Sequence, residues 1–170
     1  STVERYAGQY GKWFTSLDTN RTYRKGRNGN AEYIIEDGVC TLSGSGSIYV
    51  NDPTIEKVVV GPEITSFDVS SSGSKIKEYV VDPDNQNYAS KDGVLYNKDM
   101  TSIIKYPTGK TDKTFTIPDT VKSAQYIENK YLEELTLGKD TLFGSTYITH
   151  DEEGNETGES ITYYFNSSLE

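Results

Sequence analysis

Two residues in this sequence invite a search for covalent or acid–base chemistry: the one histidine, His150, and the one cysteine, Cys40. Nucleophilic catalysis needs a base beside the nucleophile, usually a histidine. No cysteine lies near His150 in sequence, and His150 falls at the edge of a predicted turn, so a surface histidine is the better reading. Cys40 stands two residues before Leu42 in an alternating apolar run and reads as a core residue rather than a reactive thiol. A lone cysteine also excludes an internal disulfide and any multi-cysteine zinc site. Acids are plentiful, 26 Asp and Glu, and two of them could work a glycosidic bond, yet no spacing singles out a pair. The acid-rich stretches at 82–87 and 151–159 offer clustered oxygens of the kind Ca²⁺ favours, but neither has a full calcium-loop spacing. No phosphate-binding glycine loop or dinucleotide fingerprint is present. The expectation is a non-enzyme with no catalytic residue, no metal and no cofactor.

Contact chemistry is better represented. Tyr6, Tyr10, Trp13, Phe14 and Tyr23 gather near the N-terminus. Flat aromatic faces can stack on sugar rings or on other proteins, although residues of this kind more often dock a terminal element onto a core. Tyr10, Trp13 and Tyr23 are the candidate glycan-facing set. Charge narrows the partners. Residues 1–30 carry six bases (Arg5, Lys12, Arg21, Arg24, Lys25, Arg27) against Glu4 and Asp18, a local +4, so the remainder must hold −13 of the total −9. That acidity opposes binding to nucleic-acid phosphates. No apolar run approaches the roughly 18–20 residues that would cross a bilayer.

The elements that must position these residues are short. Hydrophobic residues make up 34% of the chain, but it has 14 Tyr, each able to bury a ring with its hydroxyl wet. A thin, elongated core is expected. The first seventeen residues read as a helix: Ser1 and Glu4 have capping-box spacing, and Val3, Tyr6, Ala7, Tyr10, Phe14 and Leu17 form a stripe, weakened by Gly8 and Gly11. The polar stretch Asp18–Asn30 reads as a loop or linker. Residues 1–30 are therefore taken as an N-terminal cap or linker and 31–168 as the main domain. Leu169 and Glu170 look like a purification-tag scar, and Ser1 looks vector-derived. From Ala31 onward short β-type runs appear, beginning with a hairpin through Asp37-Gly38, a pair that tolerates positive φ.

A recurring frame organises the chain beyond this hairpin. Ile55, Val58 and Val60 stand at relative positions 1, 4 and 6, and Ile76, Tyr79 and Val81 repeat the spacing 21 residues later. Leu132, Leu135 and Leu137 repeat it again, and Phe115 and Ile117 form a partial copy whose leading position is Asp112. Positions 4 and 6 share one side of a strand, so the frame predicts strands stacked side by side, each rung burying its neighbour. Apolar residues at +4 and +7 after Val60 and Ile117 bring the return side of each rung into the core. The alternative is a β-sandwich with coincidentally spaced strands.

The stretch Val81-Asp-Pro-Asp-Asn-Gln-Asn-Tyr88-Ala-Ser-Lys-Asp-Gly-Val-Leu-Tyr96-Asn-Lys-Asp99, with Ile104-Lys-Tyr-Pro107 and Ile117-Pro-Asp-Thr-Val121, resembles the BspA-like leucine-rich repeat family, found mainly in bacterial surface and secreted proteins. Asp37–Gly46 resembles the hairpin that often opens such arrays. The resemblance, which covers roughly residues 33–138, implies a mainly β, short leucine-rich-repeat-type solenoid with a hairpin inserted between rungs, turning near Asn97–Thr101. The usual leucine richness and the family's Ala-Phe closing pair are missing. Thr146–Thr149 and Ser160–Phe165 alternate as two strands joined by an acidic turn, a terminal hairpin able to cap the last rung.

On this reading the outward concave positions are Lys57, Val59, Glu78, Val80, Thr114, Thr116, Glu134 and Thr136. The function expected is a non-catalytic adhesion or protein-interaction module, extracellular or at a bacterial cell surface and monomeric in isolation, with a protein or glycan as its partner. A carbohydrate-binding module of a secreted polysaccharide-degrading system is the alternative, and a plain spacer is the third.

Overall fold

A computed structural model gives the backbone of residues 14–15, 22–70, 75–124, 127–139, 141–143, 145–150 and 156–162, with side chains for 23–70, 75–124, 127–139 and 141. Most of the expected N-terminal helix lies outside these residues. Its Phe14 does not, and here the expectation is corrected: β1 (Phe14–Thr15) is a strand paired with β2 (Thr22–Asn28). The expected loop at Asp18–Asn30 is corrected too, since β2 pairs antiparallel with β3 (Ala31–Glu36) from Tyr23 to Asn28.

β2 escaped sequence reading because it buries little of its own. Its core-side positions are Arg24, Gly26 and Asn28, opposite Ile35, Tyr33 and Ala31. A Cβ on Gly26 would meet the Tyr33 ring at 2.5 Å, so the neighbouring strand's aromatic lies over the glycine. Arg24 instead reaches across to the carboxylate of Asp52 at 3.2 Å. A strand covered by another's side chains shows no alternating apolar pattern.

The expected hairpin follows, joining β3 to β4 (Val39–Gly44) through Asp37 and Gly38, both with positive φ at 49° and 81°. The chain then begins to coil. β5 (Gly46–Asn51) is followed by β6 (Lys57–Val60), β7 (Ile64–Ser70) and β8 (Glu78–Val81). β4, β6 and β8 lie parallel, with Cys40, Val58 and Tyr79 in one row and Leu42, Val60 and Val81 in the next. β5 and β7 pair in parallel on the return side, setting Ile48 against Phe67 and Val50 against Val69. The core fills the space between the two layers.

The inserted segment comes next: β9 (Tyr88–Lys91), β10 (Val94–Asn97) and β11 (Ser102–Lys105), an antiparallel meander turning at Asp92-Gly93 and again after Asn97. The Asn97 side-chain oxygen accepts from the N–H groups of Thr101 and Ser102 at 2.9 and 2.8 Å, holding the second turn. Coiling resumes with β12 (Thr114–Thr116), β13 (Ser123–Ala124), β14 (Glu134–Thr136) and β15 (Leu142–Phe143). Phe115 and Leu135 are neighbours in the parallel β12–β14 pair, and β11, β13 and β15 are parallel on the return side.

One expected stacking step is absent. Tyr79 and Phe115 are not on paired strands, because the meander occupies the far edge of β8: the Tyr79 N–H donates to the Gly93 carbonyl and the Val81 N–H to Ser90 Oγ, both at 2.9 Å. β10 is buried on both faces. Leu95 packs into the core of the first turns, and Val94 and Tyr96 into that of the later ones, so this strand is a wall between two hydrophobic clusters. At the corner the turns stay joined, the Gly109 N–H donating to the Ile76 carbonyl at 2.8 Å.

β16 (Ser145–His150) and β17 (Glu156–Thr162) form the expected C-terminal hairpin, with a shorter connection than the sequence suggested. Every described element is a strand, and the chain coils through about five turns. It is a β-solenoid.

Candidate functional site: the outward face of the rung sheet

Alternation along β6 and β8 turns Val58, Val60, Tyr79 and Val81 inward and leaves Lys57, Val59, Glu78 and Val80 facing out. Register sets Lys57 opposite Glu78, their charged ends 2.9 Å apart, and Val59 opposite Val80. The row through Val59 continues to Thr41 on β4 and Ile34 on β3. Ile34, Val59 and Val80 are half-buried, a shallow apolar row on an otherwise polar face. Thr114, Thr116, Glu134 and Thr136 are exposed on the separate β12–β14 pair, where Thr114 faces Glu134 and Thr116 faces Thr136. The eight expected positions therefore form two groups of four, with the Asp92-Gly93 turn of the inserted meander beside the first.

An open groove of about 700 Å³ runs beside that turn, lined among others by Lys77, Glu78, Tyr79, Asp92, Lys110 and Asp112. Lys110 pairs with Asp112 at 2.8 Å. Two phenols outside this lining, Tyr96 and Tyr106, are buried. Burial first, then Asp92 and Tyr106, push the Tyr96 hydroxyl up to about 12. Burial and then Asp112 do the same to Tyr106, also about 12. The Tyr106 hydroxyl is buried with no hydrogen-bond partner.

The candidate aromatic site is not assembled among the described residues. Tyr23 is half-buried on β2, opposite Glu36 and Phe14, and Tyr10 and Trp13 lie outside the described residues. The exposed rings here, Tyr49 on the first turn and Tyr131 on the last, stand far apart along the array. Tyr49 meets the Ser70 hydroxyl, and the Lys130 ammonium sits 4.9 Å from the centre of the Tyr131 ring.

Reactive chemistry is thin. Cys40 is buried in the core, and burial, then Asp52, raise its thiol from the ordinary 9.0 to about 12. Among the described residues no three His, Cys, Asp or Glu side chains gather as a metal site. In the 82–87 loop, Asp82 Oδ1 accepts from the Asp84 N–H and the Asn85 oxygen from the N–H groups of Asn87 and Tyr88, all at 2.9 Å, so these oxygens hold the turn. The His150 side chain and residues 151–155 lie outside the described residues.

Sequence reasoning missed the buried polar residues Asp52, Asn85 and Asn129. A signal existed: Asp52 and Asn129 each stand three residues before the leading apolar residue of a frame, Ile55 and Leu132.

No family model matches the chain, and no curated protein matches it. Among solved structures it is similar to a leucine-rich repeat protein from Eubacterium ventriosum, at 17% identity and a TM-score of 0.38, over 67% of this chain and 59% of that one. It is also similar to the pneumococcal vaccine antigen PcpA, at 13% identity and a TM-score of 0.36, over 77% of this chain and 65% of that one. The match spans less than two thirds of either protein.

Proposed function

We propose that this chain is a non-catalytic protein-binding module of a bacterial cell-surface or secreted protein of the BspA-like type, and that it works through the outward face of its rung sheet. The observation that carries this reading is the row Ile34, Val59 and Val80. It is apolar, half-exposed and bordered by the Lys57–Glu78 pair. An apolar centre with a charged margin is the usual anatomy of a transient protein interface. The row runs across four adjacent hydrogen-bonded strands, with Thr41 of β4 between Ile34 and Val59, and is therefore rigid, which lowers the ordering cost of association.

The test is a binding screen of immobilised extracellular proteins against the wild-type chain and a Val59→Glu/Val80→Glu variant. Saturable binding to a protein, weakened about tenfold or more in the variant, supports the reading. Binding to glycans alone, indifferent to the variant, overturns it in favour of the carbohydrate module.

A further inference from the structure

We infer that the edge of β14 that is unpaired among the described residues, on the far side of the β12–β14 pair, is a docking site for an extended basic strand of a partner protein, taken up as one more rung. This site is distinct from the Ile34–Val59–Val80 row, and the inference does not depend on that row.

Three observations converge on it. The first is exposure. The sixth frame position is 0% exposed at Val60, 8% at Val81 and 1% at Ile117, but 46% at Leu137. Leu135, beside it, is only half-buried. Among the described residues, the last rung thus carries the apolar residues of an internal rung with nothing stacked on them.

The second is the backbone. The Glu134 N–H donates to the Lys113 carbonyl and the Ile117 N–H to the Thr136 carbonyl, both at 2.9 Å. Glu134 and Thr136 therefore point their peptide groups toward β12, and alternation sends those of Leu135 away from the array. An unpaired edge of this kind is a template for strand addition, in which main-chain hydrogen bonds give affinity and side-chain pockets give selectivity.

The third is charge. Neighbouring rungs exchange sign at the two positions before the inward apolar residue: Glu56 with Lys77 at 2.7 Å, Lys57 with Glu78 at 2.9 Å, and Lys113 with Glu133 at 2.5 Å. The last rung presents Glu133 and Glu134, and Glu134 faces Thr114 rather than a cation. Lys130 lies over the Tyr131 ring and Lys139 in the turn beyond the strand, so neither continues the alternation. By the same rule the next strand brings two cations and then alternating apolar residues. This chain's own C-terminal thirty residues hold six acids and no Lys or Arg. They carry the wrong charge for the place.

The probe is a labelled synthetic peptide of two lysines followed by alternating valine and threonine, read by fluorescence anisotropy at low salt, where such pairs are least screened. Saturable binding is expected, weakened about tenfold or more when glutamates replace the lysines. A Glu133→Lys/Glu134→Lys variant, both sites being exposed, is expected to reverse the preference while keeping the wild-type circular dichroism. Hydrogen exchange separates the occupants: the Leu135 amide exchanges freely in the chain alone and is protected by the lysine peptide. Equal or absent binding of the two peptides overturns the inference. So does a Leu135 amide already protected without peptide, by the C-terminal hairpin if protection is independent of concentration or by a second copy if it grows with concentration.

Discussion

Asn85 and Asn129 solve the same problem in two different turns of the solenoid. Each donates its side-chain amide to two backbone carbonyls of the preceding turn, Asn85 to Gly61 and Ile64 at 2.8 and 3.0 Å, Asn129 to Pro107 and Lys110 at 2.8 Å each. Each oxygen accepts from two N–H groups just ahead, those of Asn87 and Tyr88 in one case and Tyr131 and Leu132 in the other. An irregular corner leaves buried peptide groups that no strand can pair, and one amide satisfies four of them.

Asn85→Ala or Asn129→Ala removes that partner from four backbone groups, some buried and some only partly so. A loss of about 2–4 kcal/mol in urea unfolding is expected for each, as buried groups cost roughly 1–3 kcal/mol when stranded and some will recruit water. Asn→Asp is expected to be no milder, because a carboxylate has no hydrogens to give the two carbonyls and is charged as well. A loss below about 0.5 kcal/mol in both alanine variants would show that the corners are held by something else.

These residues also show what was legible in the sequence and what was not. The rungs could be read because stacking demands the same apolar side chain at the same place, and Val58 beside Tyr79 and Phe115 beside Leu135 obey that demand, although Tyr79 and Phe115 are not neighbours. The Asp37-Gly38 turn and the β10–β11 hairpin were legible from turn chemistry. β2 was not, because its cover is the Tyr33 ring from the next strand. Nor was the break between β8 and β12, since the side chain that ends one core, Leu95, and those that begin the next, Val94 and Tyr96, sit consecutively in one short apolar run. Period cannot separate a strand buried on both faces from a continuous rung. The outward positions followed from alternation, but their division into two groups depends on that wall.

Gly109 marks the seam where the two halves meet. A Cβ there would lie 2.5 Å from the Lys75 carbonyl oxygen and 2.9 Å from that of Ile76, the acceptor of the Gly109 N–H. Both neighbours are backbone and cannot swing aside. Gly109→Ala is expected to cost about 1–3 kcal/mol by overpacking, despite the unfolded-state entropy that alanine saves. Thermal unfolding at neutral pH measures this, and a variant as stable as wild type would mean that the corner contact is dispensable.

Tyr106 gives an expectation of the opposite sign. Its ring packs 4.9 Å from that of Phe115, centre to centre, while its buried hydroxyl has no partner. Tyr106→Phe keeps the ring and removes the stranded donor, so stability is expected to hold or rise by up to about 1 kcal/mol. A clear loss in urea unfolding would place a bound water on that hydroxyl.

Four groups make the fold sensitive to alkali. Burial is the main cause in each: it lifts Cys40 from 9.0 to about 12, lifts Tyr96 and Tyr106 from 10.0 to about 12, and raises Tyr79 as well. All four are neutral when protonated, so the folded state holds their protons more tightly than the unfolded state does. Their contribution is complete below pH 9 and is lost as pH rises toward 12. Within that window each group removes about 1.4 kcal/mol per pH unit at most. Urea midpoints are expected to stay level from pH 7 to 8.5 and fall steeply above pH 9.5. Cys40→Ala, although weaker at neutral pH from its cavity, is expected to fall less steeply between pH 9 and 10, where Cys40, with its lower ordinary value of 9.0, titrates ahead of the tyrosines. The same burial predicts that iodoacetamide labels Cys40 only as fast as the chain opens. Labelling of the native protein at the rate of a free thiol, together with an unchanged alkaline slope in Cys40→Ala, would place this residue outside the core.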